Sequence, residues 1–205
     1  GMYHRNGSGA LGVCYVASGA LIGYIEFHIN SWDCLAALLL VSEAGGTVSC
    51  PGGRSMTELA TLWDYPNPHT FYTTVMPGDM DALNHTNNTV YVKWCEQVAW
   101  LHSVSLGLDL ERYRELDRAM AITHSEYDYL QASREGDEIV AGTWIVSSDN
   151  KLTMARRFQV IRLQDGVTLL RAGMRFACIE ISSGRPRRMP REFLEGYGPA
   201  GLQEN

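Results

Sequence analysis

The stretch Gly78-Asp79-Met80-Asp81-Ala82-Leu83-Asn84-His85-Thr86-Asn87-Asn88 gathers two carboxylates, an imidazole and adjacent side-chain amides just ahead of an apolar run. That run has helical spacing, with Val90, Tyr91, Trp94, Cys95, Val98, Leu101, His102 and Ser105 on one broad stripe. A helix start presents unpaired N–H groups and a partial positive charge, which can stabilise an oxygen gaining negative charge. A carboxylate six or seven residues earlier, on a returning loop, can reach the same spot. Asp81 could therefore activate a water or attack a carbonyl directly. His85 could position the water or the carbonyl, and Asn88 could orient either one. Each residue also has a structural reading. Asp81 could be a loop or cap acid, His85 a satisfied structural histidine, Asn88 an N-cap, and Tyr91 and Trp94 core or pocket wall. Glu96, mid-helix on the less apolar side, is a further candidate acid. Asp79-x-Asp81 does not open a calcium loop, because Asn84 stands where that loop needs Gly and Val90 where it needs Glu. GxSxG, HExxH and phosphate-binding glycine loops do not occur. No metal or cofactor is expected.

The elements that must position these residues can be read from pattern. Thr70 to Met76 reads as a strand, and a helix runs from about Asn88 to Leu106 with Gly107 ending it. A charged helical turn covers residues 109–117. Four strands follow: Ala121 to Gln131, Glu138 to Ser147, Leu152 to Leu163 and Thr168 to Ser182. Ser148-Asp149-Asn150 and Asp165-Gly166 make hairpin turns between them. Strand, long helix and antiparallel meander suit an α+β fold in which a curved sheet wraps one helix. Few charges beyond Lys93 and Glu96 lie on the helix, so it should be buried on most sides. The sheet leaves one face and one edge to cover, and dimerisation is the usual answer.

The first fifty residues read differently. Ser8 can cap a helix bearing Leu11, Cys14, Tyr15 and Ser18, with Gly19 ending it. Leu21 to Phe27 reads as a strand. Ser31 can cap a second helix through Ala44, with Asp33 in its first turn, where a negative charge suits the dipole. Gly45-Gly46 ends it and Thr47-Val48-Ser49 starts another strand. This short αβαβ extension carries too apolar a second helix to bury itself alone. Cys50-Pro51-Gly52-Gly53-Arg54-Ser55 breaks the composition. The expected organisation is an N-terminal fragment over 1–50, a linker over 51–66, the helix-and-sheet domain over 67–197 and a tail over 198–205.

Bulk properties narrow the classes. The 205 residues carry a net charge of -6, which gives no reason to expect nucleic acid. The five cysteines are odd in number and lack a CxxC, favouring free thiols in a reducing compartment, hence the cytoplasm. An apolar run from Ala10 to Ile25 behind Arg5 raises a signal peptide, but glycines and tyrosines interrupt it and it reads equally well as helix then strand. Gly1 before Met2 reads as a cleavage scar. Leu35 to Val41 is too short to span a bilayer, so no membrane association is expected.

The junction Asp79-Met80-Asp81, then His85-Thr86-Asn87-Asn88, then Tyr91, resembles that of the hotdog-fold acyl-CoA thioesterases of the 4-hydroxybenzoyl-CoA thioesterase-like branch. That family writes Asp-x-Asp, a short loop and His-x-Asn-Asn-x-x-Tyr between its first strand and its helix. It often closes on an Arg-Pro-rich stretch, matched here by Ser183-Gly184-Arg185-Pro186-Arg187-Arg188-Met189-Pro190. The resemblance covers roughly residues 67–195. Trp100 departs from it, standing where many relatives have Arg. The resemblance implies hydrolysis of an acyl-CoA to free acid and coenzyme A by a homodimer or homotetramer. Asp81, His85 and Asn88 would be catalytic, with Tyr91 on the substrate side. A thioester suits such a site, since its carbonyl is already electrophilic and its thiolate leaves without much protonation. Arg185, Arg187 and Arg188 could meet the phosphates of coenzyme A or form a solvated tail. Arg156-Arg157 is a second basic spot. The alternative is a hotdog protein that binds acyl-CoA or scaffolds without turnover.

The N-terminal fragment resembles the C-terminal part of the inositol monophosphatase family. The residues that carry this are Gly7-Ser8-Gly9-Ala10-Leu11, Cys14-Tyr15-Val16-Ala17-Ser18-Gly19, Gly23-Tyr24-Ile25-Glu26, Trp32-Asp33 and Glu43-Ala44-Gly45-Gly46. The resemblance implies that Asp33 matches a residue holding metal or substrate. The family's Asp-Pro-x-Asp-Gly-Thr motif and its upstream Gly-x-x-Glu have no match here. One carboxylate cannot hold several ions, so a residual sugar-phosphate phosphatase is a poor third reading and a relic or truncated half of that fold is expected.

Overall fold

Five segments rich in β-branched and aromatic residues pair into one antiparallel sheet in the computed structural model, which describes residues 56–198 and positions 15, 18, 19, 40, 41 and 43–46. They are β1 (His69–Thr74), β2 (Arg118–Tyr129), β3 (Glu138–Ser148), β4 (Thr153–Arg162) and β5 (Val167–Glu180), in the order β1-β3-β4-β5-β2. A short helix α1 (Met56–Ala60) precedes them, and a 3₁₀ turn (Pro77–Asp79) follows β1. The long helix α2 (Asn88–Ser105) and the short α3 (Leu110–Glu115) lie between β1 and β2, and α4 (Arg191–Gly196) comes last. This is the hotdog arrangement that the resemblance implies. The strands and long helix expected within residues 67–197 are all present. β2 begins at Arg118 rather than Ala121, because Arg118 to Met120 still pair with Cys178 to Glu180. The 3₁₀ turn, α1 and α4 were not foreseen.

Alternation builds the core. Met154, Phe158 and Val160 of β4, with Leu170, Ala172, Met174, Phe176 and Cys178 of β5, lie on alternate positions, the gap on β4 being taken by buried Arg156. They join Tyr91, Trp94, Cys95 and Val98 of α2 in one cluster. Burial without a charge partner pushes the Cys95 thiol up to about 12, so it behaves as a small apolar group. The helix is less enclosed than its composition predicts. Asn88, Lys93, Glu96, Gln97, Trp100 and Val104 are exposed, because the sheet of a single chain covers only one side of it.

β3 is buried without interruption from Ile139 to Val146, so both of its faces are covered. Chain from the stretch 59–66 covers part of the second face. Trp63 meets Trp144 edge-on at 5.6 Å, and Pro66 O accepts the Trp144 indole N–H at 2.9 Å. Gly142 makes room for this, since a Cβ there would lie 2.7 Å from the Trp63 ring. Buried Gln159 accepts from Asp64 N at 2.8 Å and donates to Leu62 O at 3.0 Å, while Arg171 grips the Asp64 carboxylate at 2.6 and 2.8 Å.

The chain divides into two compact units, Gly1–Glu58 and Leu59–Asn205. Within the first, Gly46 N donates to Val41 O at 2.8 Å and Gly45 sits at φ +79°, which closes a helix as expected. Gly19 is likewise in a turn at φ +75°. Ser8, Ser31, Asp33 and the strands expected at 21–27 and 47–49 lie outside the described residues, as does the tail from 199. Among the described residues no helix is long and apolar enough to cross a membrane.

Candidate active site

The chain between β1 and α2 folds back on itself as a tight hairpin. Asp79 starts it: its Oδ2 accepts from Met76 N at 2.9 Å, and its carbonyl accepts from Asn87 N at 2.8 Å. Met80 and Thr86 form a bridge, and Asp81 N donates to His85 O at 2.8 Å. Asn84 takes the tip at φ +56°, a conformation that asparagine tolerates. Asp81 Oδ1 accepts from Leu83 N at 2.8 Å and from His85 N at 3.1 Å. The loop-acid role and the proximity to His85 are therefore both real. Among the described residues Asp81 has no ion pair, and its Oδ2 has no donor. Asp81 and His85 are each partly buried, between core and solvent.

The helix start differs by one residue from the expected cap. Asn87, not Asn88, is the N-cap, its Oδ1 accepting from Thr89 N at 3.0 Å and from Thr89 Oγ1 at 2.8 Å. Asn88 is the first helical residue and is exposed. Its carbonyl accepts the Tyr129 hydroxyl at 3.3 Å, while its own N–H has no acceptor among the described residues. A carboxylate oxygen and an imidazole thus lie on the hairpin that leads into a helix-terminal N–H. That set can take a proton from water and stabilise an oxyanion.

Tyr91 is only 3% exposed, set edge-on to Trp94 at 5.1 Å, and its hydroxyl accepts the Ser133 N–H at 2.8 Å. It belongs to the frame of the site more than to its wall. Ser133 carried no signal in the sequence, where Ala132-Ser133-Arg134-Glu135-Gly136 reads as an ordinary turn.

Arg185, Arg187 and Arg188 are all exposed on the segment that returns after β5. Glu180 N donates to Arg185 O at 2.9 Å, Arg187 N donates to Cys178 O at 3.0 Å, and Met189 N donates to Lys151 O at 2.8 Å. The register fixes where this segment lies. Thr74 pairs with Glu138, and Arg162 with Val167, at the loop end of the sheet. Glu180 pairs with Arg118 at the other end. The arginines are thus separated from Asp81 by nearly the length of β5, about 40 Å at 3.3 Å per residue. One chain does not bring the two groups together. The second basic spot also splits. Arg156 is buried, whereas its neighbour Arg157 pairs with Glu126 at 2.7 Å, as alternation along a strand demands.

Two family profiles match the sequence. That of the inositol monophosphatase family covers residues 2–80, and that of the thioesterase-like superfamily covers residues 75–196. The chain is 52% identical over 46 residues to the Nus factor SuhB of Haemophilus influenzae, covering 22% of this chain and 17% of that protein. It is 47% identical over 55 residues to an inositol-1-monophosphatase of Mesorhizobium japonicum, covering 26% and 21%. It therefore spans only about a fifth of the length of these curated relatives. Among solved structures, a 1,4-dihydroxy-2-naphthoyl-CoA thioesterase from Synechocystis superposes with a TM-score of 0.58 at 16% identity, covering 64% of this chain and 96% of that one. A Staphylococcus aureus protein solved in complex with CoA gives 0.59 at 20% identity, covering 63% and 81%. At such identities the superpositions speak for the fold.

Proposed function

The chain belongs to the thioesterase-like superfamily, and from that membership we propose that it hydrolyses an acyl-CoA thioester to a free acid and coenzyme A. The observation that carries the reading is that Asp81 Oδ2, on the hairpin leading into α2, and the Asn88 N–H, at the start of α2, are both unengaged among the described residues. The Asn88 N–H, at the positive end of α2, stabilises the oxyanion that forms as the carbonyl is attacked. Asp81 either takes a proton from the attacking water or attacks the carbonyl carbon itself, and coenzyme A leaves as the thiolate; on the second route water then hydrolyses the acyl–Asp81 anhydride, which releases the free acid and restores the carboxylate. His85 orients the water or the carbonyl. The names of the two solved neighbours, one a CoA thioesterase and one holding CoA, support a ligand of this kind.

The arginines enter through a second copy. β2 is an edge strand, with Ile122 and Tyr129 exposed along it. Such an edge invites pairing. Antiparallel pairing of β2 with its counterpart about a two-fold axis sets the Arg118 end of one copy beside the Tyr129 end of the other. Tyr129 touches Asn88, so Arg185, Arg187 and Arg188 of the second copy approach this chain's site and meet the phosphates of its ligand.

A release assay for free thiol over acyl-CoA esters of varied length and aromaticity tests the reading. Turnover of at least one ester supports it. CoA or acyl-CoA binding with no thiol release from any ester supports the second reading, a binding or scaffolding hotdog protein. That second reading is favoured by Asp81 Oδ1, which already serves two loop amides.

A further inference from the structure

The loop joining β2 to β3 grips both ends of the hairpin that carries Asp81 and His85. At the entry, Val75 N donates to Asp137 O at 2.9 Å and Gly136 N donates to Val75 O at 3.0 Å. At the exit, Thr86 N donates to Ser133 O at 2.9 Å. Ser133 is fully buried, and the hydroxyls of Thr86 and Tyr91 converge on it.

The proton arrangement follows from counting donors. The Thr86 hydroxyl donates to Ser133 O at 3.1 Å, so the 2.7 Å contact between Thr86 Oγ1 and Ser133 Oγ uses the serine proton. Ser133 Oγ then accepts from the Tyr91 hydroxyl at 2.8 Å. Tyr91 in turn accepts the Ser133 N–H at 2.8 Å. Each hydroxyl donates once and accepts once, and no buried donor is left over. Loss of any one member strands another in a buried site. From behind, Arg162 Nη1 donates to Ala132 O at 3.1 Å and to Asp137 Oδ2 at 3.3 Å, which fixes the gripping loop to β4.

We propose that Ser133, acting through Tyr91 and Thr86, is a positioning residue that holds the Asp81–His85 hairpin in its working register against the start of α2. The proposal rests on the thioesterase reading for its catalytic consequence, though its structural core does not. Ser133 touches neither Asp81 nor His85 by side chain. It acts on the backbone next to His85, through Thr86. Displacing a reacting group by about 1 Å can cost on the order of a hundredfold in rate, so a slack hairpin slows chemistry without weakening ligand binding.

Amide hydrogen exchange on the full chain decides it, because exchange reads each loop bond separately. In Ser133→Ala the amides of His85, Thr86 and Asn87 should exchange at least about tenfold faster, while those of β3 and β4 keep their wild-type rates. Tyr91→Phe, which removes only the hydroxyl and keeps the ring, should do the same. It serves as the test if Ser133→Ala fails to fold. Both should lower kcat by about tenfold or more with KM nearly unchanged. In an Asp81→Asn background, Ser133→Ala should add little further loss, since both act on one step. Unchanged loop amides, or equal acceleration in the loop and in β3 and β4, would overturn the proposal. If the wild-type chain turns over no thioester, the thioesterase reading fails, and the exchange arm still decides the clamp.

Discussion

The two ends of α2 are built to opposite rules. At its N-terminus, Asp81, His85 and Asn88 reach toward solvent, and one carboxylate oxygen and one N–H are unengaged among the described residues. At its C-terminus the polar groups are closed upon each other. Arg156, 1% exposed, donates to His102 Nδ1 at 2.9 Å and to Ser103 Oγ at 3.3 Å, and lies over the Tyr197 ring at 5.6 Å. The Tyr197 hydroxyl donates to Ser103 Oγ at 2.9 Å, Ser103 donates to Ala99 O at 3.1 Å, and Tyr113 meets Tyr197 through its hydroxyl. His69 stacks on His102 at 4.9 Å. No carboxylate among the described residues pairs with Arg156. Its charge is met by the negative end of α2 and by aromatic faces. Polar groups that use up their bonding in the dark hold structure, while those that keep some unused at the surface are available for chemistry.

This contrast can be broken at either end. The largest effect on stability is expected at the closed end. Arg156→Ala should cost about 3 kcal/mol, because it opens a cavity and strips His102 and Ser103 of a donor. Arg156→Met should cost less, since it refills the volume without burying a charge. Urea denaturation of the two variants measures the difference, and equal losses would mean that the charge itself stabilises this end.

A smaller effect should appear with pH. Burial, then the Arg156 charge, then His69 push the His102 imidazole down from 6.5 to about 3. Below about pH 6.5 the unfolded chain takes up a proton that the folded chain refuses. Stability should therefore be full above that pH and fall as pH drops, by up to about 1.4 kcal/mol per unit. Comparing unfolding midpoints at pH 7 and pH 5 for the wild type and for His102→Phe should show the slope in the first and its loss in the second. Smallest of all should be the effect of Arg187→Ala with Arg188→Ala. It should raise KM for an acyl-CoA several-fold and leave kcat nearly unchanged, with the difference shrinking as salt is added. A pair variant with unaltered KM at low salt would return these arginines to solvent.

Periodicity carried most of the fold. The strands and α2 were legible because alternation and helical spacing record burial directly, and the acid–His–amide junction was legible because its members sit within a few residues of each other. What escaped was long-range. Ser133 meets Tyr91 across 42 residues, and Gln159 reads the backbone of Leu62 and Asp64 across more than 90. Arg156 looked like a surface charge beside Arg157 because nothing local tells which of two neighbours on a strand faces the core. The shift of the cap from Asn88 to Asn87 is a one-residue ambiguity between identical side chains. The remoteness of Arg185, Arg187 and Arg188 from Asp81 needed the strand register, which no local pattern supplies.

The central claim is that the open end of α2 does the chemistry and that Asp81 is its reacting group. Asp81→Asn keeps the side chain's shape and an oxygen that can accept from Leu83 N and His85 N, so the hairpin should stay folded. The direct measurement is thiol release from a turned-over acyl-CoA by this variant, alongside its unfolding midpoint. The account predicts a fall in kcat of at least about a hundredfold with the midpoint unchanged. Near-normal turnover in a folded Asp81→Asn protein would contradict it.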